Sequence, residues 1–466
     1  MSSSPDASRG LALVTGATGY IGGLLVPALL ERGWRVRVLT RDERRLNGAE
    51  WLDRVEVAPG DATDGTDLRT VLAGADVAYY LLHSMDGDGD FVRRDRAMAQ
   101  TFAAAAAASD VRRIVYLGGL HPDGPLSPHL ASRVEVGRIL LASGVPTAVL
   151  QAGVVLGDGS ASFDMLRHLT ERLPAFVAPK WLRNRIQPIA AADVVHYLAE
   201  AASLDPSLNR TFDIGGPDVL TYAEMMRRYA RDTGLGRRFI ATVPVLTPGL
   251  ASHWVGFVTP VPAAIARPLV GSLVHDAVCR EDDLLSLVPE PAEGRTGYDE
   301  AVSRATEGID PTRWRRSLRR SAAIVGGAAL TGSLLTTPDS RWYRSLSTPR
   351  WQPPPWAFPL VWSALYTEVA IVSAAVVCES ADDEGASYER ALLADMALNA
   401  AWSGLFFRAH APGAAALASG TLTVSATDLA RRALPHGRGK AAGLAAYALW
   451  CGFATALSAA IARRNR

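Results

Sequence analysis

Leu11-Ala-Leu-Val-Thr15-Gly-Ala-Thr-Gly-Tyr-Ile-Gly22 decides the reading of the first half of this chain. Leu11 to Val14 is a short apolar run, the pattern of a buried parallel strand. The glycine pattern follows at once. Gly23 to Arg32 then has helical periodicity and stops at Gly33, and Val36-Arg-Val-Leu39 is a second strand. Strand, glycine turn, helix and strand in that order form the context that a dinucleotide-binding turn requires. Gly16 permits the tight turn, Gly19 admits a pyrophosphate to the backbone, and Gly22 lets the helix lie close to the strand. Thr18, Tyr20 and Ile21 complete the turn, whose free N–H groups stand at the positive end of the helix.

The residues after the second strand select the cofactor. Thr40-Arg41-Asp42 places a guanidinium where a 2′-phosphate would lie, which favours NADP(H) over NAD(H). Asp42 is the competing signal, because a carboxylate there would bind a ribose hydroxyl. Gly60-Asp61-Ala62 follows the third strand and puts Asp61 and Ala62 beside the adenine. Val77 to Leu82, Arg113 to Leu117 and Thr147 to Leu150 read as strands four, five and six. The expected fold of residues 1–310 is an α/β, Rossmann-like, doubly wound parallel sheet with a substrate-side subdomain.

These residues resemble the atypical and extended short-chain dehydrogenase/reductase superfamily, in particular its NAD(P)H-binding, NmrA- and epimerase-like members. Tyr79-Tyr-Leu-Leu-His-Ser-Met85, Tyr116-Leu-Gly-Gly-Leu120 and Phe212-Asp-Ile-Gly-Gly-Pro217 carry the resemblance beyond the glycine turn. Catalytic members use a Tyr-x-x-x-Lys pair, in which the cation lowers the phenol pKa, and a serine that polarises the substrate carbonyl. This chain departs at each place. The serine position falls on Gly118 or Gly119, and His129-Leu-Ala-Ser-Arg133 occupies the tyrosine–lysine window. His129 as proton carrier and Arg133 as anion or ribose holder are the catalytic candidates. The opposing reading is a degenerate site that binds NADPH without turnover. His83 and His121 border the same cleft. The apolar, proline-bearing stretch from Val243 to Leu273 reads as packed subdomain, substrate pocket or bilayer-docking surface.

Near residue 320 the character of the chain changes. Arg313-Trp-Arg-Arg316 and Arg319-Arg320 make a basic juxtamembrane linker over 311–320. Five apolar segments follow: Ala322 to Thr337, Trp356 to Val377, Ala391 to Phe407, Gly413 to Ala430 and Lys440 to Ala462. Most approach the ~20 residues needed to cross a bilayer. Their many Ala, Gly, Ser and Thr positions suit close helix–helix approach in lipid, and a homodimer through these helices is a further expectation. The expected architecture of 321–466 is an all-α, five-helix transmembrane bundle. Basic residues concentrate on the side of Arg313–Arg320, Arg431, Arg432, Arg438 and Lys440, which places the first domain in the cytoplasm.

Trp342-Tyr-x-x-Leu-x-x-Pro-x-Trp-x-Pro-Pro354, Phe358-x-x-x-Trp-x-x-x-Tyr366, Asn399-x-x-Trp402-x-x-x-Phe-Phe407 and Tyr447-x-x-Trp450 resemble the TspO/MBR (translocator, tryptophan-rich sensory) family. The resemblance implies a five-helix bundle that binds tetrapyrroles or other apolar small molecules. It carries Trp351, Asn399, Trp402, Tyr447 and Trp450 over as pocket residues. Ala446 replaces the family's proline before Tyr447, and no tyrosine stands between Leu457 and Arg464, so a porphyrin or bilin fits the residues better than a sterol. Glu368 lies mid-segment, where an acid suggests function. Asp395 and Asp428 read as interfacial.

Composition sets the outer limits. A net charge of +1 over 466 residues supplies no field for nucleic acid. Three scattered cysteines, Cys279, Cys378 and Cys451, propose neither disulfides nor a metal site. The first ten residues lack the apolar core of a signal peptide, which agrees with a cytoplasmic first domain in an integral membrane protein.

Overall fold

The computed structural model describes residues 9–83, 91–122, 124–243 and 259–465. Ser84 and Met85, and residues 244–258 of the apolar stretch, lie outside them. The chain divides into two compact units, Met1–Ile309 and Asp310–Arg466.

The first unit is built on a seven-stranded sheet in the order β11-β6-β5-β4-β1-β2-β3. Its strands are β1 (Leu11–Thr15), β2 (Arg35–Thr40), β3 (Glu56–Pro59), β4 (Val77–Tyr80), β5 (Arg113–Gly119), β6 (Thr147–Ala152) and β11 (Arg210–Ile214). All neighbours pair in parallel. Parallel pairing requires crossovers, and helices supply them: α1 (Tyr20–Glu31), α2 (Gly65–Leu72), α3 (Phe91–Ala107), α4 (Pro128–Leu141) and α6 (Ala191–Ala201). The central strands are buried along their whole length, as strands covered on both faces must be. The order reverses at β1, so β1 and β4 flank the switch point where ligands bind in such sheets. Thr15 staples that point: its hydroxyl donates to the Tyr79 carbonyl at 2.9 Å and accepts from the Leu81 N–H at 3.2 Å.

A smaller layer adjoins the carboxyl ends of the strands. It contains three two-stranded pairs: β7 (Val155–Leu156) with β10 (Ile189–Ala190), β8 (Ala175–Pro179) with β13 (Phe239–Val243), and β9 (Arg185–Ile186) with β12 (Leu220–Thr221). Helices α5 (Ala161–Arg172), α7 (Tyr222–Asp232), α8 (Ala263–Ser272), α9 (Asp283–Leu287) and α10 (Tyr298–Ala305) accompany them. This layer has its own core around Phe163, Met225, Tyr229 and Tyr298.

The second unit has five long helices: α11 (Arg313–Leu335), α13 (Ala357–Glu379), α14 (Asp382–Ser403), α15 (Pro412–Ala433) and α16 (Arg438–Arg464). The short α12 (Arg341–Ser345) lies in the first connection. Of the five, α13 and α16 are long and apolar enough by composition to cross a membrane. Exposed apolar side chains on several helices, among them Leu330, Leu334, Leu360, Leu417 and Leu449, give the bundle an apolar outer surface. The basic run belongs to the first turns of α11. Arg313 pairs with Asp382, Arg316 with Asp310 and Arg320 with Glu389, so three of its five arginines are answered within the unit.

Candidate functional site

In the first unit the glycines of the turn are held by close backbone contacts. Gly16 has φ of +75°, and a Cβ there would meet the Leu81 carbonyl oxygen at 2.7 Å. A Cβ on Gly22 would lie 2.2 Å from the Gly16 carbonyl oxygen. The Gly19 N–H closes the turn on that same oxygen at 2.9 Å. Gly19 is the N-cap of α1, with no capping side chain and no acid in the first turn. The helix start is therefore open and electropositive, and Thr18 and Gly19 are exposed. These features fit a nucleotide pyrophosphate. Ile21 packs on the core behind the turn. Tyr20 turns away toward the substrate layer, where its hydroxyl lies 2.1 Å from a Cβ built on Gly157. Burial, then Asp158 and Asp164, push its phenol up to about 12.

At the ends of β2 and β3 the competing acid is already engaged. The Asp42 carboxylate accepts from the Arg44 backbone N–H at 3.1 Å and from its guanidinium Nε at 3.0 Å. The Arg44 side chain, then its backbone N–H, hold the Asp42 pKa below the usual range. Arg41, Arg44 and Arg45 stand exposed around it. Asp61 accepts from the Thr63 N–H at 2.8 Å and the Thr63 hydroxyl at 2.9 Å, so one carboxylate oxygen closes its own turn. Ala62 is half-buried beside it.

Beyond β5 and β6 lies a cleft of about 180 Å³, lined by His83, Gly118, Gly119, His129, Arg133, Ser162 and Tyr222 among mostly apolar side chains. His129 and Arg133 are one helical turn apart on α4 and both reach it. Ser127 caps α4 by accepting from the Leu130 N–H at 3.2 Å, and Pro128 fits the first turn, which fixes the position of His129. Arg133 donates from Nη2 to the Leu117 carbonyl at 3.3 Å. A Cβ on Gly119 would meet Leu130 at 3.3 Å, so the space for a serine side chain there is narrow. Burial, then the positive neighbours Arg133 and His83, lower the His129 pKa to about 3. The imidazole is thus neutral at ordinary pH, and it can offer one N–H but not the proton of an imidazolium. His121 lines an adjoining recess of about 110 Å³ with Arg138 and Gln151, which shares Gly118, Gly119 and Arg133 with the cleft.

Sequence reasoning missed Tyr222. It is 2 % exposed, it lines the cleft, and its hydroxyl has no hydrogen-bond partner among the described residues. Burial raises its phenol pKa far above the ordinary value. The signal was present as Thr221-Tyr-Ala-Glu224, a capping box. The Thr221 hydroxyl accepts from the Glu224 N–H at 3.2 Å, and the Glu224 carboxylate accepts from the Thr221 N–H at 2.8 Å. This box makes Tyr222 the first residue of α7.

In the second unit an aromatic chain runs through the bundle. Trp351 meets Phe453 with ring centres 5.8 Å apart, and Phe453 stacks on Trp450 at 5.2 Å. Trp450 meets Phe358 and Trp362, and Trp362 meets Tyr447. Trp402 stacks on Phe406 at 5.4 Å, and its Nε1 donates to the Ser458 hydroxyl on α16 at 3.2 Å. Asn399 accepts from the Tyr366 hydroxyl at 2.7 Å. The five pocket candidates therefore lie on connected packing, with Trp351 half-exposed at one end.

Asp395 corrects the interfacial reading. It is fully buried and accepts from the Tyr447 hydroxyl at 2.8 Å. The carboxylate sits one turn before Asn399 on α14, so it faces the interior with it. Among the described residues, the second Asp395 oxygen, the Asn399 Nδ2 and the Trp450 Nε1 make no well-formed hydrogen bond. Asp428 does lie near a helix end, paired with Arg431 and Arg432. Glu368 packs over Gly443, where an added Cβ would meet its Oε1 at 2.4 Å.

The glycine turn and its sheet define a nicotinamide-nucleotide-binding type of domain, joined in this chain to a helical, aromatic-rich bundle. Residues 16–147 match the NAD(P)H-binding family and residues 321–464 the TspO/MBR family, so the chain carries one domain of each. It is 28 % identical over 284 residues to the ceramide reductase of Caulobacter vibrioides, across 58 % of this chain and 85 % of that protein. It is 40 % identical over 86 residues to the tryptophan-rich sensory protein of Cereibacter sphaeroides, across 18 % of this chain. There the chain spans 51 % of the relative's length. Among solved structures, the Citrobacter sp. triphenylmethane reductase complexed with NADP(H) aligns with a TM-score of 0.51 at 19 % identity, covering 63 % of this chain and 99 % of that one. The Escherichia coli NADPH-dependent quinone oxidoreductase complexed with NADPH aligns equally well, over 98 % of its chain. At that identity the likeness shows the fold.

Proposed function

We propose that this protein is a membrane-bound, NADPH-dependent reductase of apolar carbonyl compounds, joined to a TspO-type bundle that holds a tetrapyrrole or similar flat ligand. One observation carries the reading. The cleft that holds His129 and Arg133 lies at the carboxyl edge of the sheet, on the same side as the open glycine turn. The reductase named for ceramide supports an apolar substrate, because its resemblance spans most of its own length.

In this reading Gly16, Gly19 and Gly22 cradle the pyrophosphate, and Arg41 with Arg44 and Arg45 receives the 2′-phosphate. Engagement of Asp42 by Arg44 removes the acid that would favour NAD(H). The reduced nicotinamide, when bound, supplies hydride. The neutral His129 N–H holds the substrate oxygen, Arg133 steadies the negative charge that hydride transfer leaves on it, and that oxygen then takes its proton from solvent. In the bundle, Trp351, Trp402 and Trp450 offer flat faces to a macrocycle, and Asn399 and Tyr447 offer polar contacts. All five long helices cross the bilayer, and the nucleotide domain stands on the cytoplasmic side.

A second reading has its own observation. Gly118 and Gly119 leave no hydroxyl at the carbonyl-polarising position, which favours a non-catalytic NADPH and porphyrin sensor. Full-length protein in detergent, mixed with NADPH and with protoporphyrin IX, separates the two. NADPH oxidation with a carbonyl substrate, lost in His129→Gln, supports the reductase. Binding of both ligands with no turnover supports the sensor.

A further inference from the structure

We infer that the recess beside the cleft is a subsite for a carboxylate of the substrate, so that the compound reduced is a keto acid with a hydrocarbon chain. The inference rests on the reductase reading of the cleft and goes beyond it by naming the substrate's charge.

The recess lies where α4 crosses the sheet. Tyr116 and Gly118 on β5 pair with Val149 and Gln151 on β6, and Val149 pairs in turn with Thr211 on β11, so these residues share one face. Two glycines keep the space open between that face and α4. A Cβ built on Gly118 would point at Val149 Cγ1 from 3.5 Å, and one built on Gly137 would point at the same atom from 3.4 Å. The hollow of about 110 Å³ is several times the ~10–15 Å³ that one water needs, so a carboxylate fits. Gly118, Gly119 and Arg133 line both the recess and the cleft. A ligand whose carbonyl meets His129 can therefore place a second group here.

The polar lining of the recess is one-sided. Arg133, Arg138, His121 and Gln151 line it, and no Asp or Glu does. Arg138 makes no ion pair and no side-chain hydrogen bond among the described residues. Gln151 is 7 % exposed, and its amide makes no hydrogen bond among the described residues, yet neither polar atom is sealed from water. Asp213, the β11 residue beside Gln151, is engaged elsewhere: it accepts the Arg280 N–H at 2.9 Å. The Arg280 guanidinium in turn donates to the His121 carbonyl at 2.5 Å, which brings a further positive charge to that side.

Guanidinium groups gathered at a hollow without a carboxylate repel one another until an anion arrives. Arginine binds a carboxylate through paired, charge-assisted hydrogen bonds, and the Gln151 amide can donate one more. The cleft beside it offers Leu117, Leu130, Met165 and Leu269 to a hydrocarbon chain. In the reaction the carbonyl carbon gains hydride as NADPH becomes NADP⁺, the carbonyl oxygen gains a proton from solvent, and the carboxylate is unchanged.

The experiment uses the full chain in detergent with NADPH, as wild type, Arg138→Gln and Gln151→Leu. The probes are 4-oxododecanoate and 6-oxododecanoate, each beside its methyl ester, with inorganic phosphate as the free anion. NADPH oxidation is read beside probe binding to the NADPH-loaded protein, followed by nicotinamide fluorescence, and thermal unfolding shows that the variants fold. In the wild type at least one acid should exceed its ester by about tenfold or more in kcat/KM and in affinity. That acid-to-ester ratio should fall about fivefold or more in each variant. Arg138 is exposed, so its variant decides if the buried Gln151→Leu is destabilised. A wild-type ratio near one for both acids, or a ratio that the variants keep, overturns the inference. Ester turnover that rises with phosphate, with no preference for an acid, assigns the recess to a free anion and overturns it too. If the acid is preferred in binding but NADPH is not oxidised, the reductase reading fails, and the affinity ratios of the variants alone decide the subsite.

Discussion

The Gly16 carbonyl oxygen occupies the space where residue 22 would carry a side chain: a Cβ built on Gly22 lies 2.2 Å away. The same oxygen receives the Gly19 N–H. One backbone atom thus sets the turn and the depth to which α1 descends on the sheet. Gly22→Ala must push the helix start outward, because the obstacle is backbone and cannot rotate aside. We expect this variant to lose NADPH binding by more than tenfold and to melt at lower temperature. Fluorescence titration and thermal unfolding check both.

Cofactor choice turns on Arg41 and on the occupied Asp42. Arg41→Ala removes a charge-assisted contact, worth about 1.5–3 kcal/mol. The expected outcome is a loss of roughly 10–100-fold in NADPH affinity and a change of less than threefold for NADH. Arg44→Ala frees the Asp42 carboxylate and should improve NADH binding. Competitive titrations with the two nucleotides read both effects.

His129 gives the fold a pH dependence with a definite sign. Its folded pKa, near 3, lies below the ordinary 6.5 because of burial, Arg133 and His83. Between these values the unfolded chain binds the extra proton. The contribution of this site is therefore fully present above pH 6.5 and is lost as the pH falls through the window toward 3. His129→Gln should flatten that part of the stability curve. Denaturant unfolding at pH 7.0, 5.5 and 4.5 tests it, with a smaller acid loss expected in the variant.

The first unit was legible because parallel strands are short apolar runs between glycine turns: β1, β2, β4, β5 and β6 lie within two residues of the stretches read from the sequence, whereas β11 and the short pairs of the second layer were not read as strands. Helix α1 begins at Tyr20, not Gly23, since the glycine turn and helix overlap. The five long helices were legible from their apolar stretches, but α14 begins at Asp382, nine residues before the apolar segment. Its acidic first turn suits the positive helix end and hides the start from a hydropathy reading. Tyr222 and Asp395 were not legible as site residues. A lone tyrosine after a capping box looks like core, and an acid beside a segment end looks wet. Only tertiary packing reveals a hydroxyl without a partner, or a carboxylate held by a tyrosine 52 positions away.

In the bundle, Tyr447→Phe removes the donor to Asp395 and leaves the carboxylate without its closest partner. Interhelical hydrogen bonds of this kind contribute about 0.6–1.7 kcal/mol in membranes. A loss of that size in detergent-solubilised protein, read by thermal unfolding, is expected. Trp450→Ala should instead weaken protoporphyrin IX binding, by roughly tenfold, with tryptophan quenching as the readout.

The last turn of the third long helix is wound differently from the rest. Over Gly404–Arg408 it is a π-turn, closed by the Ala409 N–H on the Gly404 carbonyl at 2.9 Å. Successive residues of a regular helix point about 100° apart, yet Phe406 and Phe407 are both buried. The wider winding carries an additional residue into one revolution, so two neighbouring rings are turned inward where an ordinary spiral would turn one of them to the outer surface. Removing a single residue from this coil would leave the helix almost as long, but it would unseat the pair of rings beside Trp402. At this end of the domain, the number of residues per turn matters as much as their identity.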